Sequence, residues 1–353
     1  MRVRKNVSNL TPAEKTAFVN AVLALKTQPS VLNPGRQGRY DDYVLLHMNS
    51  MMAGTPNINP ARPDFVPGWA HDGPAFYPWH RVLLLQFEND LQAASSDPSV
   101  TIPYWDWTDA ASWPFTDDFL GGDGTGQRKQ VQSGPFAFSA PAHWTLIVKD
   151  RPRDPAFLQR QFGADSTAQN LPTSSDVSGT TGTTPYSTSP WKGTAAGPGS
   201  SWRFQSQYGV HNLVHRYVGG TMGNMTSPND PVFWLHHCNI DRLWAQWLAQ
   251  HPTAAPYLPT AGGPSGHNLN DDMHFSAAPP APWAPSYTPQ SVINHHALGY
   301  QYDAEPTAQI AEAKTRVGTS NVIVNRAAVA PNKAMVSRAR ANFPLLQELA
   351  PRS

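Results

Sequence analysis

Four of the chain's 13 histidines fall between His211 and His237, two in Val210-His-Asn-Leu-Val-His215 and two in Trp234-Leu-His-His237. On a helix His211 and His215 stand one turn apart on the same face, so both imidazoles can converge on one ion without strain. A third ligand has to come from elsewhere. Gly219 and Gly220 end that helix, Pro228 to Pro231 make a turn, and Asn229 or Asp230 can cap a second helix carrying His236 and His237. Only one of those adjacent histidines can point along the site axis. Leu235, Ile240, Leu243, Trp244 and Trp247 lie on the apolar rows of the same helix, a dry wall that lets few waters compete for a metal.

A second set of three imidazoles lies earlier in the chain. Tyr40, Tyr43, Val44, His47 and Met51 repeat at helical spacing and put His47 on an inward stripe. His71 belongs to the loop Gly68 to His80, whose path Pro74 and Pro78 fix, and His80 opens an apolar helix from Arg81 to Ala93. Six histidines in two threes, with Cys238 the only cysteine, exclude a thiolate cluster and suit a pair of imidazole-binding ions, zinc or copper. Paired-zinc hydrolases generally bridge their ions with carboxylates. Here Asp72, Asp230 and Asp241 fall where capping or supporting roles suffice, which favours copper. Three neutral imidazoles leave each ion an open face for a small ligand such as dioxygen. The remaining histidines, at 143, 251, 267, 274, 295 and 296, have no ligand spacing and read as structural.

The elements that must position these groups are helices set in irregular chain. Thr11-Pro-Ala-Glu14 is a capping box that opens a scaffold helix to about Lys26. Pro103-Tyr-Trp-Asp-Trp107 and Gly121 to Gly126 read as packing and loop. Ser174 to Ser201 turns to Ser, Thr, Gly and Pro and reads as a surface excursion without chemistry, and Tyr300 to Asp303 as a short closing strand. We therefore expect one domain over residues 1–303 and a tail over 304–353, packed on the body or partly disordered. The tail is basic, Ala-rich to Arg316 and strand-like at Val322 to Val324. The 35 prolines fit much irregular backbone around a compact helical set. A net charge of +1 with 14% charged residues leaves no nucleic-acid footprint. Met1 to Asn9 is basic without an apolar stretch and no run is long enough to span a bilayer, so the expectation is a protein without its own signal peptide, cytoplasmic or exported with a partner, and without membrane contact.

The ordered pieces Gly73 to Arg81, Phe87-Glu88, Pro103 to Trp107, His211 to His215, Val218-Gly-Gly220, Ser227 to His237 and Asp241-Arg-Leu-Trp244 resemble the bacterial tyrosinases and related type 3 copper proteins. The resemblance covers roughly Tyr40 to Asp303. It implies a mainly α fold with a central four-helix bundle holding a dicopper centre, long irregular loops and few short strands. Carried over position by position, His47, His71 and His80 match the ligands of the first copper and His211, His215 and His237 those of the second, with His236 beside them.

The activity implied is oxidation of o-diphenols, or in some relatives o-aminophenols, to quinones by dioxygen, with ortho-hydroxylation of monophenols in true tyrosinases. Hydroxylating relatives carry a Glu shortly before the first histidine of the second copper, which with the Asn after it holds a proton-accepting water. Asn212 is present, but Trp202 to Tyr208 offers only the amides Gln205 or Gln207, poor proton acceptors. The expectation is diphenol oxidation ahead of monophenol hydroxylation. Arg216 and Met225, following the second-copper ligands, are expected at the substrate entrance. Bacterial forms without a lid domain rely on a small copper-delivering (caddie) partner, which the resemblance extends to this chain. A haemocyanin-like dioxygen carrier and a dizinc hydrolase are the competing readings.

Overall fold

The computed structural model describes residues 1–52, 68–191, 201–275 and 286–305. The capping box forms as read: Thr11 accepts the amide of Glu14, the Glu14 carboxylate takes the Thr11 amide, and α1 (Pro12–Thr27) follows with Phe18, Val19, Val22 and Leu25 buried. Against α1 pack α2 (Arg39–Met52) and α3 (Phe76–Ser95). On α2 the stripe Tyr40, Tyr43, Val44 and His47 is buried, whereas Met51 is exposed.

α3 begins five residues before the expected Arg81, so His80 lies inside the helix rather than at its start. Pro78 signals a break in the sequence, yet it falls in the first turn, where the missing N–H has no intrahelical acceptor to lose. Within the expected Ser174–Ser201 loop, Thr173 and Asp176 form a second capping box that opens α4 (Ser174–Thr181), a helix that composition concealed because Ser and Thr are weak helix formers until a cap commits them.

Trp202–Phe204 (α5), a π-helical segment Gln205–His211 and α6 (Asn212–Val218) run on as one rod, which Gly219 and Gly220 stop at φ 63° and 53°. The turn Ser227–Asn229 leads into α7 (Val232–Gln250), buried along its whole length from Val232 to Ala245. Pro231 stands at its N-cap rather than the expected Asn229 or Asp230, and Asp230 just before it accepts the Val232 amide at 3.2 Å while held by Nε and Nη2 of Arg160 at 2.7 and 2.8 Å. α7 stacks Trp234 on Phe87 of α3, and Trp234 donates to the Tyr40 hydroxyl of α2, which itself donates to the Pro228 carbonyl. Around the site, then, stand α2, α3, the rod and α7.

The charged residues of α7 are paired inside the core. Asp241 accepts from Arg81 of α3 at 2.5 Å and from the Tyr300 and Tyr302 hydroxyls. Burial opposes its ionisation, but Arg81 and Arg4 outweigh it and hold the carboxyl below its usual range. The expected strand appears as β4 (Tyr300–Tyr302), paired in parallel with β1 (Arg2–Arg4), and β2 (Gly124–Thr125) pairs antiparallel with β3 (Gln130–Val131). A short helix, α8 (Pro289–Val292), precedes β4. Of the tail, only Ala304 and Glu305 lie among the described residues; the expected features at Arg316 and at Val322 to Val324 lie outside them. Among the described residues no helix is long and apolar enough to cross a membrane.

Candidate metal centre

The two sequence-derived triads come together as two facing groups. His47 from α2, His71 from its loop and His80 from α3 place a ring nitrogen each within 4.8 Å of one another, and so do His211, His215, His236 and His237. The groups share a wall: His80 stacks on His237 at 4.4 Å between ring centroids. Phe76, four residues before His80, and Phe233, four residues before His237, lie against imidazoles of both groups at 4.1–4.9 Å. The periodicity that builds the site thus also dries it.

Backbone carbonyls fix which nitrogen faces the centre for His47, His80, His211 and His215, whereas Nδ1 of His71 and of His237 is buried without a partner. Nδ1 of His47 lies 2.8 Å from the Met225 carbonyl, Nδ1 of His80 2.7 Å from that of Phe76, and Nδ1 of His215 2.7 Å from that of Met222. His211 Nδ1 lies 2.8 Å from Asn212 Oδ1 and 3.1 Å from the Gln207 carbonyl. Carbonyls only accept, so each Nδ1 donates and each Nε2 is a bare lone pair. The Nε2 atoms of His47 and His80 are buried without a donor, and those of His211 and His215 meet His237 Nε2 at 3.3 and 3.4 Å. Leaving one such acceptor unsatisfied costs about 1–3 kcal/mol. Several lone pairs aimed at two points are what a pair of metal ions satisfies, so the residues fit the group. Burial also keeps the rings neutral: it lowers His47 to about 3 and His215 to about 4, against small opposing contributions from their carbonyl partners.

His236 differs. Neither of its nitrogens has a partner, and its ring packs 5.1 Å from Trp107. Within the group it is His237 whose Nε2 meets the Nε2 atoms of His211 and His215. Neither group contains a carboxylate among the described residues, which leaves nothing to bridge a zinc pair.

The loop carrying His71 is held in a way the sequence did not disclose. Asp72, at φ 62°, accepts a short hydrogen bond from the Tyr208 hydroxyl on the π-helical segment, tying the first triad's loop to the second triad's helix. Burial, reinforced by the Asp72 charge, holds that phenol protonated, its pKa well above the ordinary value. The readable signal was Gly209 inside an otherwise helical run, which marks a local departure from α geometry.

The other expected site residues are placed as follows. Asn212 sits beside His211, as above. Gln207 is buried with its amide oxygen 3.1 Å from Arg203, and that of Gln205 lies 3.3 Å from the Thr183 hydroxyl. Arg216 is exposed and donates to Thr167 at 2.8 Å, and Met225 offers its carbonyl to His47 while its amide donates to Asp150 at 2.9 Å.

A helical bundle with abutting groups of three and four imidazoles defines a metal protein of the binuclear class. The family described as the common central domain of tyrosinase matches residues 37–250. The tyrosinase of Streptomyces glaucescens is 39% identical over 308 residues, covering 86% of this chain and all of that protein. Grixazone synthase of Streptomyces griseus subsp. griseus is 35% identical over 335 residues, covering 86% and 99%. In fold the chain is similar to a mutant polyphenol oxidase from Thermothelomyces thermophila, with TM-score 0.59, 23% identity and coverage of 86% and 88%. It is also similar to a functional unit of octopus hemocyanin, at 0.52, 21%, and 89% and 72%. The chain belongs to the tyrosinase family: it is a copper-dependent oxidase of phenols, with a binuclear copper centre and dioxygen as co-substrate.

Proposed function

We propose that this enzyme oxidises o-diphenols, and o-aminophenols of the same geometry, in preference to hydroxylating monophenols. His47, His71 and His80 would hold one copper, and His211, His215 and His237 the other. His236 stays outside both sets as packing against Trp107. The observation that supports the assignment is the set of Nε2 lone pairs of His47, His80, His211 and His215, each left bare by a carbonyl on the same ring's Nδ1. When bound, the copper pair supplies the two-electron exchange between phenol and dioxygen, so that two catechols and one O2 give two quinones and two waters.

The chain's own residues set the rest. The rings of Phe76 and Phe233 keep water from the centre, and Asn212 orients His211. The preference for diphenols rests on proton chemistry. A monophenol must lose a proton of pKa near 10 to some base, and the groups before His211 are amides. The Asn212 oxygen is already taken by His211, and the Gln207 oxygen faces Arg203. Arg216, exposed one residue beyond His215, and Met225, half-buried by His47, border the entrance. Because the ligand nitrogens are buried, hydrated copper has to shed its water to reach them, and a small delivering partner that passes the ion directly would avoid that cost.

Oxygen uptake on matched monophenol, catechol and o-aminophenol tests the reading, with catechol or aminophenol expected to be fastest. Monophenol turnover equal to catechol turnover overturns it. Gln205→Glu and Gln207→Glu, made separately, should raise the monophenol share in whichever variant puts a carboxylate near Asn212; unchanged ratios in both would refute the water-base argument. Coexpression with a delivering partner should raise copper content, and no change would dismiss the partner.

A further inference from the structure

A third cluster of ligand-type side chains lies apart from the paired triads, at the end of the described chain. His295 Nε2 is 2.7 Å from Glu305 Oε1 and His296 Nε2 is 2.8 Å from Glu305 Oε2. The ligand atoms of all three residues lie within 4.8 Å of one another. The two rings face each other at 4.1 Å, and the Tyr302 amide donates to Glu305 Oε1 at 3.0 Å, which sets the plane of the carboxylate. His296 Nδ1 is buried and has no partner.

We propose that His295, His296 and Glu305 form a separate binding site for a single divalent ion of the zinc type. Two imidazoles and one carboxylate, converging from residues ten apart in sequence, are the donor set that borderline ions take, with water completing the shell. Three features of the surroundings favour a cation. Burial holds the His295 imidazole toward its neutral form, against the pull of Glu305. The neighbouring guanidinium, Arg81, is neutralised by Asp241 and spends Nη1 on the carbonyls of Val292 and Ile293. The three side chains keep 6–10% of their surface exposed, so an ion can enter without unfolding. The exchange is simple: the ion replaces the two N–H···O contacts, and a ring that presents Nε2 to it carries its proton on Nδ1.

The position gives the ion a task. It would close the segment from the turn His295–Leu298 through β4 to Glu305, and β4 supplies the Tyr300 and Tyr302 hydroxyls that hold Asp241, four residues beyond His237 on α7. An ion bound there stabilises the native state by mass action, apart from the copper pair.

The test uses the copper-loaded enzyme dialysed against zinc chloride, followed by elemental analysis of both metals and thermal unfolding with and without zinc. Wild type should hold about one zinc per chain beyond its copper, and zinc should raise its unfolding midpoint. His296→Gln and Glu305→Gln should each keep full copper content and lose at least about tenfold in zinc affinity, along with the zinc-dependent shift. Wild type that takes up no zinc, or variants that take up as much as wild type, overturns the proposal and leaves the cluster as a hydrogen-bonded clamp. Should Glu305→Gln fail to fold, His296→Gln and the wild-type stoichiometry still decide.

Discussion

The two proposed histidine triads stand on different scaffolds. In the second, His211, His215 and His237 all sit on helical backbone, and the rod and α7 fix their spacing. In the first, His47 and His80 are helical, but His71 stands on a loop whose conformation depends on Asp72 at positive φ and its bond to Tyr208. The first triad also borrows from the second: the carbonyl that orients His47 belongs to Met225, on the segment between α6 and α7. The second half is thus positioned mainly by local repeat, and the first half by contacts across the fold. It follows that distant substitutions should disturb the first site more than the second.

The largest effects come from the ligands themselves. His215→Ala and His80→Ala should each abolish oxidase activity and lower copper from two to about one per chain, because a site reduced to two imidazoles holds its ion weakly. Retention of both ions and activity in either variant would break the assignment. His236→Gln should leave two coppers in place; a loss equal to that of His215→Ala would make it a ligand and displace His237 from the second set.

Tyr208→Phe sharpens the contrast. Removing one hydroxyl frees Asp72 and the His71 loop without touching a ligand, so copper affinity at the first site should fall about 10- to 100-fold while the second holds. Stepwise copper titration of the variant would show one weakened and one normal site, and equal weakening of both would contradict the comparison.

Acid should destabilise the copper-free protein. The six ligand imidazoles and His236 have folded pKa values depressed by burial, to about 3 for His47 and about 4 for His215. The unfolded chain therefore binds more protons below about pH 6.5. Stability is present above that pH and is lost as pH falls toward 4. Unfolding midpoints of the apoprotein measured from about pH 7.5 down to about pH 4.5 should fall steeply, and a flat profile would refute the burial argument. The smallest effect is expected at Arg216, exposed and bonded to Thr167. Arg216→Ala should shift the preference between carboxylated and uncharged phenols by a few-fold, and an unchanged preference would remove it from the entrance.

The same contrast explains what could be read in advance. Helical spacing and the glycine and proline stops locate His211, His215 and the α7 histidines, because those signals are local. Pro78 and the Ser and Thr run that contains α4 misled for the same reason: both residue types break helices in the interior and begin them at the first turn, and only the cap decides which. His295 and His296 carry no ligand spacing because their third partner, Glu305, arrives through β4.

By itself the sequence determined the donor types, the presence of a single cysteine and the family, since residue identity and short-range periodicity carry that information. Tertiary structure decided which carbonyl sets the tautomer of His47 and of His215, and how Tyr208 holds the His71 loop. Those choices depend on atoms up to 178 residues apart, as for His47 and Met225, whose contact exists only once the helices have packed.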